Sequence, residues 1–363
     1  MNTVTMADLR RILVDCAGEG EPAGDISDIA FTELGYDSLA LIETAARLKQ
    51  EFGVTITDDQ VTELATPAAL LAAVNAVHRT HHAVVVPAPA DAVYAILADV
   101  TPAPALFAAP VHYRHIERAE HRERFRIWVL AAGEVANWTS VRRLDPVRRV
   151  IEFEQEQPHP LVLRMRGEFR VLERDGHAEV LLDHEFVATD DAAAAVVEQA
   201  TEANSTAQLA ALRGLAALPL ADLLCTVTDS VDVRGTAADA YEFVRDAGRW
   251  PDRLPHIGSV RVREAGDGVQ HLTKEVDGHV TTSVRLCFPH DRIAFKQTTP
   301  PGHLLGNAGQ WTFTPTATGC TVAVRHTVLL HPDAPAGTRA AIAATGRLTL
   351  LGAKDFAEHR ASA

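Results

Sequence analysis

The sequence predicts an all-α head followed by two α+β domains, each an antiparallel sheet wrapped on a long C-terminal helix. Three observations point there. Residues 1–77 carry apolar side chains at helical spacing, the texture switches to alternating strands from Ala83, and the strand-rich part repeats itself after about 145 residues.

In the head, the helical period is clearest in "MADLRRILVDC", "SLALIETAARLKQEF" and "PAALLAAVNAV". Asp37 is placed to cap the second stretch, and Pro67 sits where a first helical turn accepts proline. The head is also acidic, with 13 Asp/Glu against 4 Lys/Arg, a net of −9 out of −14 for the whole chain. Such a surface repels nucleic acid and attracts basic patches on partner proteins. "HRTHH" (78–82) then reads as a short polar linker, and its histidines as solvated residues rather than metal ligands.

The repeat is seen segment by segment. "PAPADAVYAILADV" is echoed by "RGTAADAYEFVRDA", "WTSVRRLDPVRRVIEFEQ" by "TTSVRLCFPHDRIAFKQ", "MRGEFRV" by "NAGQWTF", and "LLDHEFV" by "AVRHTVL". A period this long marks two copies of one domain, 83–219 and 222–363, rather than a solenoid. Asp-Gly pairs at 175–176, 267–268 and 277–278 fall between strand-like runs, as tight hairpins require, and successive hairpins give an antiparallel meander. The Ala-rich helix closing each copy is expected to pack across the concave face, leaving a cavity open at one end.

Composition narrows the function. No 18-residue apolar run is present and the amino terminus has an amphipathic pattern, so the expectation is a cytoplasmic protein without a membrane span. Cys16, Cys225, Cys287 and Cys320 form no C-x-x-C pair, which suits reduced thiols and no zinc. Dinucleotide, P-loop, zinc-helix and nucleophile-elbow motifs are all missing, so the chemistry on offer is acid–base and electrostatic.

Trp138, Ser140 and Arg142 are two apart and share one face of a strand; Thr281, Ser283 and Arg285 occupy the same places in the second copy. If that face looks inward, each copy holds a guanidinium able to steady an enolate; if outward, the arginines are solvated. His184 and His326 share a repeat position on a late strand, as candidate proton carriers or core residues. Phe169 and Trp311 correspond likewise, and either stacks on a planar ligand or fills core. Trp250-Pro251 follows a helix only in the second copy, which makes the two cavities unequal.

"GYDSL" (35–39), opening a helix of an acidic helical head, resembles the Asp-Ser-Leu signature of type II polyketide acyl carrier proteins. The resemblance implies an all-α four-helix carrier domain over 1–77, 4′-phosphopantetheine on Ser38, and acidic residues such as Glu43 meeting partner enzymes. Residues 83–363 resemble the didomain aromatase/cyclases of aromatic polyketide synthases, members of the START-like (helix-grip) superfamily, through "ADAVYAILADV", "IWVLAAGEVANWTSVRRLDP", "EFEQE", "RWPDRLP" and "TTSVR". It implies pocket-lining by the Trp-x-Ser-x-Arg strand, with Arg142 and its counterpart Arg285 as catalytic groups and Trp138 and Ser140 beside Arg142. The match departs at Ala103-Pro104 and Ala108–Pro110, where the family has Trp-Pro and a further aromatic or proline, and at Thr281, where it has the pocket tryptophan.

The implied activity is first-ring aldol closure and dehydration of a poly-β-keto chain tethered through Ser38, with Ser140, Ser283, His184 and His326 assisting proton transfer. Holding a methylene against one carbonyl removes much of the entropic cost of closure. The implied partners are ketosynthase/chain-length factor, ketoreductase and phosphopantetheinyl transferase. Two rival readings are a polyketide-binding chaperone and a lipid-transfer protein.

Overall fold

The structure, a computed structural model, describes residues 4–17, 24–52, 54, 56–131, 133–276 and 278–362. By packing it falls into two units: residues up to Thr80 with Pro160–Met165 and His184–Glu198, and the remainder.

The amino-terminal region is helical: α1 Met6–Ala17, α2 Ser38–Phe52, α3 Asp58–Glu63 and α4 Pro67–Asn75. The Asp37 carboxylate accepts from the Ala40 N–H at 2.9 Å, the expected cap of α2. Thr57 and Gln60 cap α3 reciprocally, and Thr66 caps α4 just before Pro67. Leu9, Ile12, Leu13, Leu41, Leu48 and Leu70 from three of these helices bury a common core, so tertiary packing stabilises helices too short to persist alone.

Strand β1 (Val77–Val86) corrects one expectation: residues 78–82 are not a linker but lie inside this strand. His81 and His82 meet Asp183 and Glu202, so these histidines are paired, although His81 stays exposed. Polar composition misled because an edge strand exposes alternate side chains and so carries histidines at little cost.

The first sheet follows through α5 (Ala90–Ala98), α6 (Ala103–Leu106), β2 (Pro110–Arg118), β3 (Arg122–Ala131), β4 (Glu134–Asp145), β5 (Val150–Gln157), β6 (Val162–Arg174) and β7 (His177–Ala188), then α7 (Asp191–Ala216). Its order is β1-β7-β6-β5-β4-β3-β2. After α8 (Leu220–Leu223) the plan recurs as β8 (Leu224–Val233), α9 (Ala237–Arg245), α10 (Trp250–Arg253), β9 (Ile257–Glu264), β10 (Val269–Val276), β11 (His279–Phe288), β12 (Arg292–Thr299), β13 (Leu304–Thr316), β14 (Gly319–Leu330) and α11 (Thr338–Ser362). The second order, β8-β14-β13-β12-β11-β10-β9, is the same permutation. Each is a meander whose first strand closes beside its last.

The expected Asp-Gly turns are present at two places. Asp175 and Gly176 have φ of 50° and 82°, Asp267 and Gly268 46° and 75°, the left-handed pair a tight hairpin needs. Asp277 lies outside the described residues. Leu209, Leu212 and Leu215 of α7 pack with Val171, Val180 and Leu182 of the first sheet. Leu350, Ala353 and Ala357 of α11 pack with Val322, Val324 and Phe313 of the second. Small residues let α11 approach closely: a Cβ on Gly235 would fall 2.5 Å from the Ala357 carbonyl oxygen.

The face of the second sheet away from α11 (Val284, Leu286, Ala294) packs on Val111 and Trp128 of the first. At its centre the buried Lys296 ammonium donates to the carbonyls of Phe107 and, at 2.8 Å, Pro110. Lys296→Met should lower stability to urea by about 2 kcal/mol, because each buried carbonyl left unpaired costs about 1–3 kcal/mol. An unchanged unfolding midpoint would show that these bonds contribute nothing.

Candidate functional site

Of the two serines in the head, Ser27 donates its hydroxyl to Asp25 at 2.6 Å. Ser38 is exposed as the first residue of α2, beside Leu39, which is 73 % exposed. The Ser38 hydroxyl is therefore open to an incoming phosphoryl group without disturbing core, and the residues present fit a covalently attached arm.

The inward face of the first sheet is set by register. Glu123, Phe125 and Ile127 on β3 oppose Arg142, Ser140 and Trp138 on β4, which oppose Phe153 and Gln155 on β5. Arg142 is 8 % exposed, so the inward alternative holds. Its Nη2 donates to the carbonyls of Leu97 at 2.9 Å and Ala98 at 3.2 Å, at the C-terminal end of α5, where the helix dipole favours a cation. Its Nε lies 3.3 Å from Glu123 Oε1, a carboxylate even more buried than the guanidinium. Ser140 donates to the Glu154 carbonyl at 2.9 Å, which ties its hydroxyl to the sheet. Trp138 packs with Phe125 and Ile127, and Phe169 lies 5.8 Å from Phe153. His184 is half-buried on β7, on the same side of its strand as Leu182 and Phe186.

The second sheet repeats the row with different chemistry. Gln270, Leu272 and Lys274 on β10 oppose Arg285, Ser283 and Thr281 on β11; Phe295 and Gln297 on β12 come next. Arg285, 3 % exposed, donates to the carbonyls of Val244 and Arg245 at the end of α9, as Arg142 does at α5. The residue in the Glu123 position is the neutral Gln270, and among the described residues no carboxylate pairs with Arg285. Instead its guanidinium lies 5.3 Å over the Trp250 ring, while the Trp250 Nε1–H donates to the Phe243 carbonyl. Burial pulls both guanidinium pKa values down, and the Glu123 charge opposes this for Arg142. Trp311 is buried against the apolar core beneath α11, and Ser283 is half-buried between Leu272 and Gln297.

His326 lies across Gly309 from Phe295, its ring 5.1 Å from the phenyl. Its Nδ1 is 3.2 Å from Asn307 Oδ1, and the Asn307 amide donates to Gln297 Oε1 at 3.0 Å. An amide oxygen facing Nδ1 places the proton there and leaves Nε2 as a bare lone pair. Burial, helped by the Lys274 charge, takes the imidazole pKa down to about 4, so it is neutral at pH 7.

Glu123, Gln270, Lys274, Asn307 and Gln297 are the interior polar residues that sequence reasoning missed. Overlaying "ERFRI" (123–127) on "QHLTK" (270–274) reveals the first three as substitutions between copies.

Residues 7–74 match the family described as phosphopantetheine attachment site, and residues 233–355 match polyketide cyclase / dehydrase and lipid transport. The bifunctional cyclase/dehydratase of the granaticin polyketide synthase of Streptomyces violaceoruber is 41 % identical over 269 residues, covering 71 % of this chain and 83 % of the relative. The granaticin acyl carrier protein of the same organism is 51 % identical over 78 residues, covering 21 % of this chain and 92 % of its own. The crystal structure of the di-domain ARO/CYC BexL from the BE-7585A biosynthetic pathway matches with a TM-score of 0.66 at 38 % identity, over 77 % of this chain and 99 % of that one. Two antiparallel sheets with their helices thus define the di-domain ARO/CYC helix-grip class. The chain belongs to the bifunctional cyclase/dehydratases of polyketide synthases, with an acyl-carrier region at its amino terminus. Phosphopantetheine is the covalent cofactor of that region, where it supplies a thiol for thioester attachment, and a polyketide is the substrate. Among the described residues no helix is long and apolar enough to cross a membrane, and no His/Cys/Asp/Glu group is disposed to hold a metal.

Proposed function

We propose that residues 1–77 form a four-helix carrier whose Ser38 bears the phosphopantetheine, and that 83–219 and 222–363 are two helix-grip domains of unequal chemistry. The tethered, ketoreduced poly-β-keto chain undergoes first-ring aldol closure and dehydration on the inward face of the second sheet. Arg285 steadies the enolate and alkoxide oxygens as charge develops, in a medium of low dielectric. The first sheet, whose Arg142 is already countered by Glu123, grips and orients the chain. The observation that carries this assignment is the exchange of Glu123 for Gln270, which leaves one buried guanidinium neutralised and the other available to a substrate anion.

Ketosynthase/chain-length factor, ketoreductase and phosphopantetheinyl transferase are the proposed partners, reading the acidic face that includes Glu43. A cytoplasmic setting follows from those partners. Because 78–82 is strand rather than tether, reach comes from the prosthetic arm.

The test starts from holo protein made with a phosphopantetheinyl transferase. Intact mass should show one phosphopantetheine, lost in Ser38→Ala, and the loaded chain should give aromatised first-ring product. A modified Ser38→Ala chain would overturn the carrier assignment. Shunt products unchanged by the protein, with retained binding of aromatic ligands, would favour the chaperone reading.

A further inference from the structure

The inward face of the second sheet holds a second cation. Lys274 stands two residues beyond Leu272 on β10, on the side that carries Gln270 and Leu272, and its Nζ lies 5.9 Å over the ring of the buried Trp250. Trp250 is thus shared by two cations, since Arg285 also sits against it. Among the described residues Lys274 has no carboxylate partner. Its counterpart in the first copy is Ile127, so this ammonium belongs to the second copy alone.

A half-buried ammonium close to an arginine and without a counter-ion among the described residues is costly to fold. Beneath α11, the same face holds the His326 Nε2, buried and without a hydrogen-bond partner among the described residues. The helix position facing that nitrogen is Gly346, where an added Cβ would touch Nε2 at 3.7 Å and crowd Val324 at 3.3 Å, so the glycine keeps a side chain off the lone pair. The Gln297–Asn307–His326 chain fixes the ring with Nδ1 protonated. One face therefore presents a proton donor lacking an anion and a proton acceptor lacking a donor.

We propose that Lys274 is the general acid of the dehydration step, working opposite His326 as base. This rests on the placement of the chemistry in the second copy. After aldol closure the ring carbon bears a hydroxyl, and its neighbour bears a proton made acidic by the adjacent ketone. His326 Nε2 takes that carbon-bound proton. Its electron pair forms the C=C bond, the C–O bond breaks, and Lys274 Nζ gives a proton to the departing oxygen, so water leaves. One proton has passed to His326 and one has left Lys274; its return between them restores the pair, with no oxidant or reductant involved. As Lys274 gives up its charge, the repulsion that keeps His326 unprotonated is relieved, so each transfer assists the other.

The titratable and charged groups facing Lys274 are Arg285 from β11 and His326 from β14; β9 contributes Val260 and α10 contributes Trp250. Burial, then the Arg285 charge, lowers the Lys274 pKa to about 8, and His326 lies at about 4. Dehydration needs Lys274 protonated and His326 neutral. The rate should be level between those values and fall as pH rises through about 8.

The experiment loads the holo full-length protein with a ketoreduced chain and separates cyclised hydroxy-ketone from aromatised product by mass, a difference of one water. Lys274→Met should still close the ring but accumulate the hydrated product, with dehydration slowed about 100-fold and the limb near pH 8 gone. Lys274→Arg should not rescue it, because a guanidinium keeps the charge without giving up a proton. Arg285→Met separates the proposal from its foundation. Loss of closure there with normal dehydration and an intact alkaline limb in Lys274→Met overturns the proposal alone. Normal product from both variants overturns the second-copy assignment and the proposal with it. Full rescue by Lys274→Arg would also overturn the proton-donor role.

Discussion

Replacing Arg142 with methionine is expected to cost about 3–5 kcal/mol of stability, because it strands the Glu123 carboxylate in the interior. That is a large share of the roughly 5–15 kcal/mol a domain of this kind has to lose. The side chain of Glu123 is 5 % exposed, with Arg142 Nε at 3.3 Å and His115 Nε2 at 3.0 Å. The carbonyls of Leu97 and Ala98 lose their donor as well. The double variant Arg142→Met/Glu123→Met should recover much of the loss, since an apolar pair replacing a buried ion pair is often neutral or better. Urea unfolding of wild type, both single variants and the double variant gives the coupling directly. If the two losses simply add, Glu123 is not the counter-charge of Arg142, and the contrast drawn between the two sheets loses its basis.

How much of this was legible in the sequence depends on the kind of pattern involved. The Asp-Gly turns, the Asp37 cap and the two-residue alternation of Ser140-x-Arg142 and Ser283-x-Arg285 are local, and local chemistry fixes each of them. Which face looks inward is not fixed by that alternation, since it allows either the arginines or Val141 and Val284 inside; the structure buries Arg142 and Arg285, and Val284 packs on the other face against Trp128. The repeat made the second sheet a copy of the first before any strand was placed.

What could not be read was pairwise and long-range. Arg142 reaches carbonyls 45 and 44 residues away, and Arg285 does the same at 41 and 40. No spacing rule encodes a helix end as the partner of a strand arginine. The 78–82 error has the same origin: histidines on an edge strand look like a linker until the strand beside them is known. Lys274 was overlooked because a lone lysine in "HLTKEV" has no motif. Its meaning comes from Trp250, Arg285 and His326, which only the register brings to one face.

The arginine of the second sheet should behave in the opposite manner to that of the first. Arg285→Met orphans no carboxylate, since Gln270 stands opposite and donates to Glu264 at 2.8 Å. Its stability cost is limited to the carbonyls of Val244 and Arg245, at about 1–3 kcal/mol for each left unpaired. Its cost in ring closure should be greater, about 100- to 1,000-fold in rate, the usual consequence of removing one preorganised group from a developing oxyanion. Arg285→Lys should recover part of this, because an ammonium supplies charge but cannot bond the helix end and an enolate oxygen from one rigid fork. The deciding comparison is between Arg285→Met and the stability-restored Arg142→Met/Glu123→Met chain, both assayed as holo protein with a tethered polyketide. Closure lost in the first and kept in the second places the chemistry where the buried cation lacks a counter-charge. The reverse result would mean that the chemistry belongs to the guanidinium already paired to a carboxylate, with the glutamate beside it free to accept a proton from the substrate.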